Sequence, residues 1–297
     1  MSRTDTSVPR FLACISALIA TTASSCNRQP APTASAPASP VRTRTASERH
    51  PATTTAPSPT IVAVDGDRPH TVTIDLGSGV TLPLVLIPAG AFTMGDEGAL
   101  PVHAVTISKP FYLGRYEVTR EQWQAVLGDD PSDFVGEANL PVESVSWHDC
   151  QAFLQKLHQL APLYEFALPT EAQWEHACRA GSPQQFDVEL ERRMPDSAWY
   201  EVNARGTTHP VGLKQPNAWG LYDMHGNVWE WCADFFGDYP ADPCVDPSGP
   251  PSGEHRALRG GSWNFCATFC RAAARNCARP DERYNYIGLR VAAGTRK

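Results

Sequence analysis

The chain has 297 residues, among them 27 Pro, 21 Gly and 8 Trp, with an apolar fraction of 42% and a formal net charge of −7. This abundance of turn-forming residues favours a turn-rich α+β fold and excludes a helical bundle or a coiled coil. The longest mostly apolar run, Phe11–Ala20, has about half the length that a membrane-spanning helix needs. We therefore predict that the mature protein does not cross a bilayer as a helix.

The first 25 residues are organised like an export signal. Arg3 and Arg10 are followed by the apolar run and then by small residues that end at Cys26. The small residues directly before Cys26 resemble a bacterial lipobox, so we predict that residues 1–25 are removed and that Cys26 is lipidated. Plain signal-peptidase cleavage and a buried N-terminal helix are the alternatives.

Residues 26–60 are predicted to form a disordered tether. Pro, Ala, Thr and Ser occupy 25 of the 34 positions of residues 27–60, so the segment offers few side chains to a core. The remaining residues, 61–297, are long enough for one folded domain. They contain 19 Lys and Arg against 30 Asp and Glu, a formal charge of −11. This charge argues against a nucleic-acid partner and fits calcium, a cationic partner or solubility alone.

The predicted elements of this domain begin with two strands, at residues 82–95 and 103–119, whose apolar residues are bounded by Gly and Pro. Three short helices follow. Each opens with a capping-box pattern, in which a Ser or Thr precedes a Gln or Asp by three positions: Thr119 and Gln122, Ser146 and Asp149, Thr170 and Gln173.

From Ala218 onward the sequence has no regular periodicity, which predicts loops and short strands. A fold with few regular hydrogen-bond ladders depends on large aromatic side chains for its core. We expect five tryptophans to be largely buried: Trp147, Trp174, Trp229, Trp231 and Trp263.

Seven cysteines remain in the domain when Cys14 leaves with the signal and Cys26 serves as the anchor. In an oxidising compartment, three disulfides plus a free thiol and two disulfides plus a functional pair are both open. Zinc is not predicted, because the sequence has neither a Cys-x-x-Cys pair nor a His-x-x-x-His spacing.

Five sequence strings occur in a fixed order over residues 82–293: PVESVSW, LPTEAQWEHACRAG, HPVGLKQPNAWGLYDMHGNVWEWCADFF, LRGGSWNFCATFCRAAARN and PDERYNYIGLRVA. Together they resemble the sulfatase-modifying-factor family, whose founding members are formylglycine-generating enzymes. The resemblance implies an α+β, loop-rich fold related to C-type lectins. In the enzymatic members, it further implies a copper(I)-bound cysteine pair that uses dioxygen to oxidise a sulfatase cysteine to formylglycine.

The same resemblance implies calcium. Four residues match the second calcium site of the family: Asp223, Gly226, Val228 and Glu230. The two carboxylates offer hard oxygens, and the carbonyls of Gly226 and Val228 could converge with Glu230 on one cation; ordinary turn and surface carboxylates are the alternative. Asn203 and Ala204 match the first ligands of a further site, but the acidic stretch that should follow them is missing, so we expect no calcium there.

The redox pair implied by the resemblance falls on Cys266 and Cys270, with Ser262 and Trp229 lining the pocket. Two thiolates suit a soft cuprous ion. However, three residues separate these cysteines, whereas four do so in the family enzymes, and the segment after Cys270 is about three residues shorter. The loop therefore departs from the enzymatic pattern.

Two functional hypotheses follow from this departure. The preferred one is an exported, non-catalytic module, in which lectin-like loops bind a protein or glycan and Cys266 and Cys270 form a structural disulfide or a pair of buried thiols. The alternative is a copper-dependent oxidase whose substrate is an exported sulfatase. A different oxygen- or metal-dependent modifying enzyme is a third possibility. In each case the predicted location is the bacterial envelope, periplasmic or facing the surface, with contact to the membrane through the lipid anchor only.

Overall fold

The protein is described by a computed structural model that covers residues 60–65, 68–96, 102–182 and 194–295. The predicted signal segment, Cys26 and all of the predicted tether except Thr60 lie outside these residues. No helix within the described ranges is long and apolar enough to cross a membrane.

The described residues form thirteen strands and three helices of eight or more residues. The strands are β1 Thr60–Asp65, β2 Arg68–Gly77, β3 Val80–Ile87, β4 Gly90–Met94, β5 His103–Ile107, β6 Phe111–Gly114, β7 Tyr164–Ala167, β8 Trp229–Phe235, β9 Cys244–Val245, β10 Arg256–Arg259, β11 Arg275–Ala278, β12 Ile287–Gly288 and β13 Ala292–Thr295. The helices are α1 Arg120–Leu127, α2 Trp147–Leu160 and α3 Glu171–Arg179. A 3-10 turn spans Ala267–Cys270.

The largest sheet is antiparallel and has six strands in the order β1-β2-β3-β6-β13-β7. Its centre joins residues that are far apart in the chain, since Leu113 of β6 pairs with Val85 of β3 on one side and with Ala292 of β13 on the other. Helices α1 and α2 pack against this sheet, and the ring of Trp123 stacks on that of Phe153 at 5.1 Å. The main hydrophobic core lies between these layers.

Two smaller sheets complete the fold. In the first, of order β11-β10-β8-β12, strand β8 lies between an antiparallel and a parallel neighbour. Gly288 of β12 pairs with Glu230, and a Cβ atom at position 288 would lie 2.4 Å from the carbonyl oxygen of Val142. Only glycine fits this approach. The second small sheet pairs the β4-β5 hairpin with β9.

Each of the two predicted strands is broken into two. Residues 82–95 contain most of β3 and all of β4, and residues 103–119 contain β5 and β6. Pro88 and Pro110 lie in the gaps, where the absence of a backbone N–H interrupts the ladder. The sequence analysis missed β1 and β2. After residue 218, the predicted short strands and loops are confirmed.

All three capping boxes are confirmed. Thr119, Ser146 and Thr170 each occupy the N-cap, and each side chain accepts a hydrogen bond from the backbone N–H three residues later. In every helix the residue at that third position returns a hydrogen bond to the N-cap backbone. The helices therefore begin where the local sequence predicts.

The prediction of buried tryptophans is confirmed for Trp174, Trp229 and Trp231, which are each 0% exposed. Trp147 and Trp263 are less completely buried, since a minor part of each residue is exposed. The indole of Trp147 donates to the carbonyl of Cys232, and an arginine guanidinium covers the outer face of its ring at 4.0 Å. Both rings are thus partly exposed, while the indole N–H of each donates to a backbone carbonyl.

The expected network of disulfides is also wrong. Six of the seven domain cysteines are free thiols: Cys150, Cys178, Cys232, Cys244, Cys266 and Cys270. Cys150 and Cys232 are fully buried among apolar side chains, where a thiol behaves as a small hydrophobic group.

Removing a cap should weaken the fold measurably. We expect Thr119→Ala, Ser146→Ala and Thr170→Ala each to lower the free energy of unfolding by about 1 kcal/mol, because one helix N–H loses its acceptor. Urea denaturation measures the change. Ser252→Ala, at an exposed loop position, is the control and should stay within about 0.5 kcal/mol of wild type. Equal effects in the cap and control variants would contradict the prediction.

Candidate functional site

The two candidate redox cysteines lie on the 3-10 turn that follows β10. Cys266 occupies the N-cap position of the turn and is half-buried, whereas Cys270, at its end, is 0% exposed. Cys270 packs in a small apolar cluster with Met194, Ala198 and Tyr200. The structure therefore brings the two cysteines to one turn but exposes only the first.

Burial raises the pKa of the Cys270 thiol, and the neighbouring Cys266 raises it further. Gly261 adopts a left-handed backbone, and a Cβ atom there would lie 2.5 Å from the sulfur of Cys270. The glycine thus allows the loop backbone to close directly over the thiol. A thiolate is disfavoured in this environment.

The resemblance places Ser262 and Trp229 in a pocket beside the cysteines, and the structure buries both. Both residues are 0% exposed. The hydroxyl of Ser262 donates to the side-chain oxygen of Asn264 at 2.8 Å, and Trp229 packs edge-on against Phe265 at 5.5 Å. Both side chains therefore lie in the interior.

A cluster of buried charges lies next to β8. Its members are Glu117, Asp223, Glu230 and Arg290, none more than 2% exposed. Arg290 donates through Nε and Nη2 to Glu230, through Nη1 to the carbonyl of Gly114 and through Nη2 to the carbonyl of Tyr222. Of the three carboxylates, only Glu230 is hydrogen-bonded to Arg290, and all four groups are closed to solvent.

Glu230 is the most heavily engaged of these carboxylates. Oε1 accepts from Nε and Nη2 of Arg290 at 3.0 and 2.7 Å. Oε2 accepts from the same Nε at 3.0 Å and from the indole of Trp174 at 2.6 Å. These four contacts come from three N–H groups, because the Nε hydrogen of Arg290 is shared between both oxygens. Glu230 thus lies in the predicted calcium cluster, but its carboxylate is already bonded to Arg290 and Trp174.

Asp223, in contrast, has an unsatisfied oxygen. Its Oδ2 accepts the N–H of Gly212 at 2.7 Å, whereas its buried Oδ1 has no hydrogen-bond partner. Burial raises the pKa of Asp223 to about 6. Its backbone is left-handed, with φ of 56°, a conformation that Asp tolerates better than most residues. An orphaned carboxylate oxygen in the interior is the arrangement expected of a cation ligand.

The sequence analysis missed Glu117, the fourth member of the cluster. Its Oε1 accepts the N–H of Val228 at 3.1 Å, and its Oε2 accepts the side-chain amide of Asn227 at 2.6 Å. Burial, followed by repulsion from Asp223, raises the pKa of Glu117 well above its usual range. One signal was available, since Glu117 is the only acidic residue in the predicted strand 103–119.

Only part of this cluster suits a divalent cation, because Glu230 is bonded to Arg290 and Trp174 while one oxygen of Asp223 has no partner. Ionised, the three carboxylates and one guanidinium have a net charge of −2, and the orphaned Asp223 Oδ1 offers a hard ligand. In the described ranges, no group of three or more His, Cys, Asp and Glu side chains is arranged to hold a metal ion. A cation here would therefore depend on backbone carbonyls, such as the predicted ones of Gly226 and Val228.

The groups of the further calcium site hold the protein's own backbone. The side chain of Asn203 accepts from the N–H of Tyr200 and donates to the carbonyl of Ala198, both at 2.9 Å. The carbonyl of Ala204 lies 2.8 Å from Nε2 of His209.

A cleft of about 380 Å³ opens at the N-terminal end of α3, where Glu171, Asp234 and Tyr239 form part of its lining. The N–H of Glu171 donates to Asp234 at 2.9 Å. Burial, and then repulsion from Glu171, raises the pKa of Asp234 to about 7. None of the predicted catalytic residues lines this cleft or a second one of about 280 Å³ beside His176.

Comparisons with known proteins agree on one family. Residues 80–295 match the model of the sulfatase-modifying factor enzyme 1-like domain. The formylglycine-generating enzyme of Streptomyces coelicolor is 30% identical over 80% of this chain and 95% of its own length. The chaperone protein LppX of Paenibacillus barcinonensis is 33% identical over 61% of this chain and 78% of its length.

Among solved structures, Treponema denticola variable protein 1 superposes with a TM-score of 0.71 at 32% identity, covering 75% of this chain and 99% of its own. The expected fold class, α+β of the formylglycine-generating-enzyme type, is confirmed by this similarity and by the family match.

The stability of the protein should depend on pH through Asp234. Its pKa in the folded protein, about 7, exceeds the value near 3.9 of an unfolded chain, so protonation favours the folded state. This contribution is complete below about pH 4 and is lost as the pH rises through 7, with a slope of at most about 1.4 kcal/mol per pH unit. Asp234→Asn should remove that part of the slope between pH 5 and 8 in urea titrations.

The control is Asp238→Asn, which changes an exposed carboxylate of the same cleft. It should leave the pH dependence of unfolding as in wild type. If Asp234→Asn also keeps the wild-type slope, Asp234 does not titrate in this range.

Proposed function

Because the chain belongs to the family of sulfatase-modifying factor enzyme 1-like domains, we propose that it is a non-catalytic member, a protein-binding module of the bacterial envelope. The observation that carries the proposal is the complete burial of Cys270. A nucleophilic or copper-binding thiol must ionise and be reached by its substrate. The Cys270 thiol meets neither condition, since apolar side chains surround it and raise its pKa.

The residues do not fit a catalytic copper ion. A cuprous ion needs both sulfurs, and a substrate cysteine must approach the same centre. Only Cys266 has part of its surface exposed, and Gly261 closes the backbone over the sulfur of Cys270. Ser262 and Trp229, which would shape the substrate pocket, are both core residues. The oxidase remains the alternative because Cys266 and Cys270 are both free thiols on one turn.

Half-buried aromatic rings beside the cysteine turn support a binding role. Tyr284 and Tyr286 stack at 5.1 Å, and Phe265 contacts Tyr286 and Phe269 edge-on at 5.7 and 5.4 Å. Trp263 is also half-buried. Aromatic side chains of this kind are enriched where proteins bind one another. Stacked rings also suit sugars, so a glycan is the second candidate ligand.

A protein ligand is preferred because the names of two relatives, a formylglycine-generating enzyme and a chaperone, both denote proteins that act on other proteins. An exported sulfatase is one candidate partner. The acidic domain disfavours nucleic acid. The proposed location is the bacterial envelope. Export directed by residues 1–25 and lipidation of Cys26 would hold the module there on a flexible tether.

We also propose that the module binds one calcium ion at Asp223, Glu230 and the carbonyls of Gly226 and Val228. The orphaned Asp223 oxygen supports this assignment. Calcium would neutralise the buried carboxylates and link the 223–228 segment to β8. Its role would be structural, as it would lie beneath the aromatic surface and not at a reacting group.

The absence of oxidase activity is directly testable. A peptide containing Cys-x-Pro-x-Arg, copper(I) and dioxygen are incubated with the protein, and the formylglycine aldehyde is trapped and quantified. We expect wild type to form no more aldehyde than the double variant Cys266→Ser/Cys270→Ser, and to bind copper(I) no more tightly. Aldehyde that requires copper and Cys270 but persists in Cys244→Ser, which changes a half-buried thiol elsewhere, would establish the oxidase instead.

The calcium site predicts a stability response. Saturating calcium should raise the melting temperature of wild type, since a ligand at about 100 times its dissociation constant adds about 2.7 kcal/mol to the stability. Asp223→Asn should lose most of this response. Substituting Glu230 would be less informative, because it leaves Arg290 unpaired in the core.

The matched control is Asp246→Asn. Asp246 also has a left-handed backbone, with φ of 48°, but it is exposed and its side chain accepts the N–H of Ser108. It should respond to calcium as wild type does. A melting temperature of wild type that is the same in calcium and in chelator would refute the site.

A further inference from the structure

We infer that the cleft at the N-terminal end of α3 binds a primary alkylammonium group, and that a lysine side chain of a protein partner supplies this group. The cleft has a volume of about 380 Å³. None of its lining residues belongs to the aromatic surface beside the cysteine turn. The assignment to a lysine rests on the protein-binding role proposed above, whereas the preference for an amine rests on the residues of the cleft itself.

Asp234 places an unused carboxylate oxygen at this cleft. The residue lines the cleft although it is only 4% exposed. Its Oδ2 accepts the N–H of Glu171 at 2.9 Å, and within the described part of the chain no other residue donates a hydrogen bond to its Oδ1. A carboxylate oxygen without a donor is costly in so enclosed a position, so a donor from a ligand is expected there.

Gly249 keeps the space beside this oxygen open. Its backbone is left-handed, with φ of 72°, and a Cβ atom at this position would lie 3.2 Å from Oδ1 of Asp234. The same Cβ atom would lie 2.9 Å from the carbonyl oxygen of Phe235. Any other residue would therefore place its side chain against the carboxylate, whereas glycine leaves Oδ1 within reach of a ligand.

The charge of the cleft favours a cation. Three carboxylates line it, those of Glu171, Asp234 and Asp238, and none of its described lining residues is Lys or Arg. Arg275 neutralises Glu171 through two hydrogen bonds, so Asp234 and Asp238 set the charge of the cleft. An anion is disfavoured for a further reason, since the N–H of Glu171 at the start of α3 already donates to Asp234.

A single open oxygen suits an ammonium group better than a guanidinium. The guanidinium of arginine binds a carboxylate best through two parallel N–H groups, one to each oxygen. Oδ2 of Asp234 is already occupied by the N–H of Glu171, whereas an ammonium group is a point charge that needs only one oxygen. The alkyl stem of a lysine can lie along apolar walls. Here the walls are formed by Met94, Tyr239, Pro240, Pro247 and Pro250.

The fold itself does not need the charge of Asp234. A neutral Asn could accept the same N–H without the cost of burying a charge. Burial, followed by repulsion from Glu171, raises the pKa of Asp234 to about 7, although Arg275 opposes this shift. The ionised carboxylate therefore lowers the stability of the fold at and above neutral pH. A group that costs stability in its charged form, and that lines a cleft, is a candidate for ligand binding.

Binding of Nα-acetyl-lysine methylamide to the full chain tests the inference, measured by ligand-observed NMR at pH 8. At this pH Asp234 is ionised, and the alkylammonium group, with a pKa of about 10.4, keeps its proton. We expect a Kd of about 1 mM for wild type, as for other ligands of this size. Asp234→Asn should weaken binding at least about tenfold, because a hydrogen bond between charged groups is lost.

The matched control is Asp242→Asn, which removes the same charge at an exposed position outside the lining of the cleft. It should change the Kd by less than about twofold. Asp234→Asn is expected to fold, since the neutral form of Asp234 is the one that the folded state favours.

Three further ligands test the chemistry on wild type alone. Nα,Nε-diacetyl-lysine methylamide has the same stem without the charge and should bind at least about tenfold more weakly. Nα-acetyl-arginine methylamide should bind at least about threefold more weakly than the lysine compound, because Asp234 offers one oxygen only. Cadaverine, a free diamine, should bind less than about tenfold more tightly, because its second amine meets only exposed charge.

Equal affinity for the lysine compound and its acetylated or arginine counterpart would overturn the inference, and so would equal affinity of wild type and Asp234→Asn. Cadaverine that binds more than about tenfold more tightly would overturn the assignment to a lysine and indicate a free amine. Absence of binding by wild type would refute the amine site, while the proposed protein-binding role of the aromatic surface would be unaffected.

Discussion

Glu230 and Arg290 form an ion pair that is completely closed to solvent, and the loop-rich half of the fold is built around it. Through its remaining N–H groups, Arg290 holds the carbonyls at the end of β6 and in the loop at Tyr222. Through its second oxygen, Glu230 holds the indole of Trp174 on α3. Burying two charges is costly unless each is fully hydrogen-bonded, and removal of one partner from such a pair costs about 3–5 kcal/mol. The geometry of all four segments is therefore set together.

A second buried network acts in the same way around α3. Arg259 pairs with Glu175, and Arg275 pairs with Glu171, so that α3 is joined to β10 and β11. These are the connections that one would assign to disulfides in an exported, turn-rich domain. Four buried thiols, Cys150, Cys178, Cys232 and Cys270, instead fill apolar space, while charged hydrogen bonds join the loops. Such bonds are directional and intolerant of displacement, which suits a fold with short strands and long connections.

The buried ion pairs and the proposed binding surface are formed by different residues. The residues that hold the framework, among them Glu230, Arg290 and Trp174, lie beneath the surface that the cysteine turn and its aromatic neighbours form. In this chain the end of the cysteine turn packs against the interior, where Cys270 lies in an apolar cluster. Beside the turn, the half-buried rings of Phe265, Phe269 and Tyr286 lie next to Cys266, which keeps part of its surface exposed.

The sequence by itself determined the features whose physics is local. The capping boxes at Thr119, Ser146 and Thr170 position the helices because each needs only a side chain and an N–H three residues away. The strings that identify the family likewise predicted the fold class. Only the tertiary structure decided the state of the cysteines and the membership of the carboxylate cluster. The carboxylate of Glu117 accepts the N–H of Val228, which is 111 positions away in the sequence. No local sequence pattern encodes the burial of the cysteine thiols or of these carboxylates.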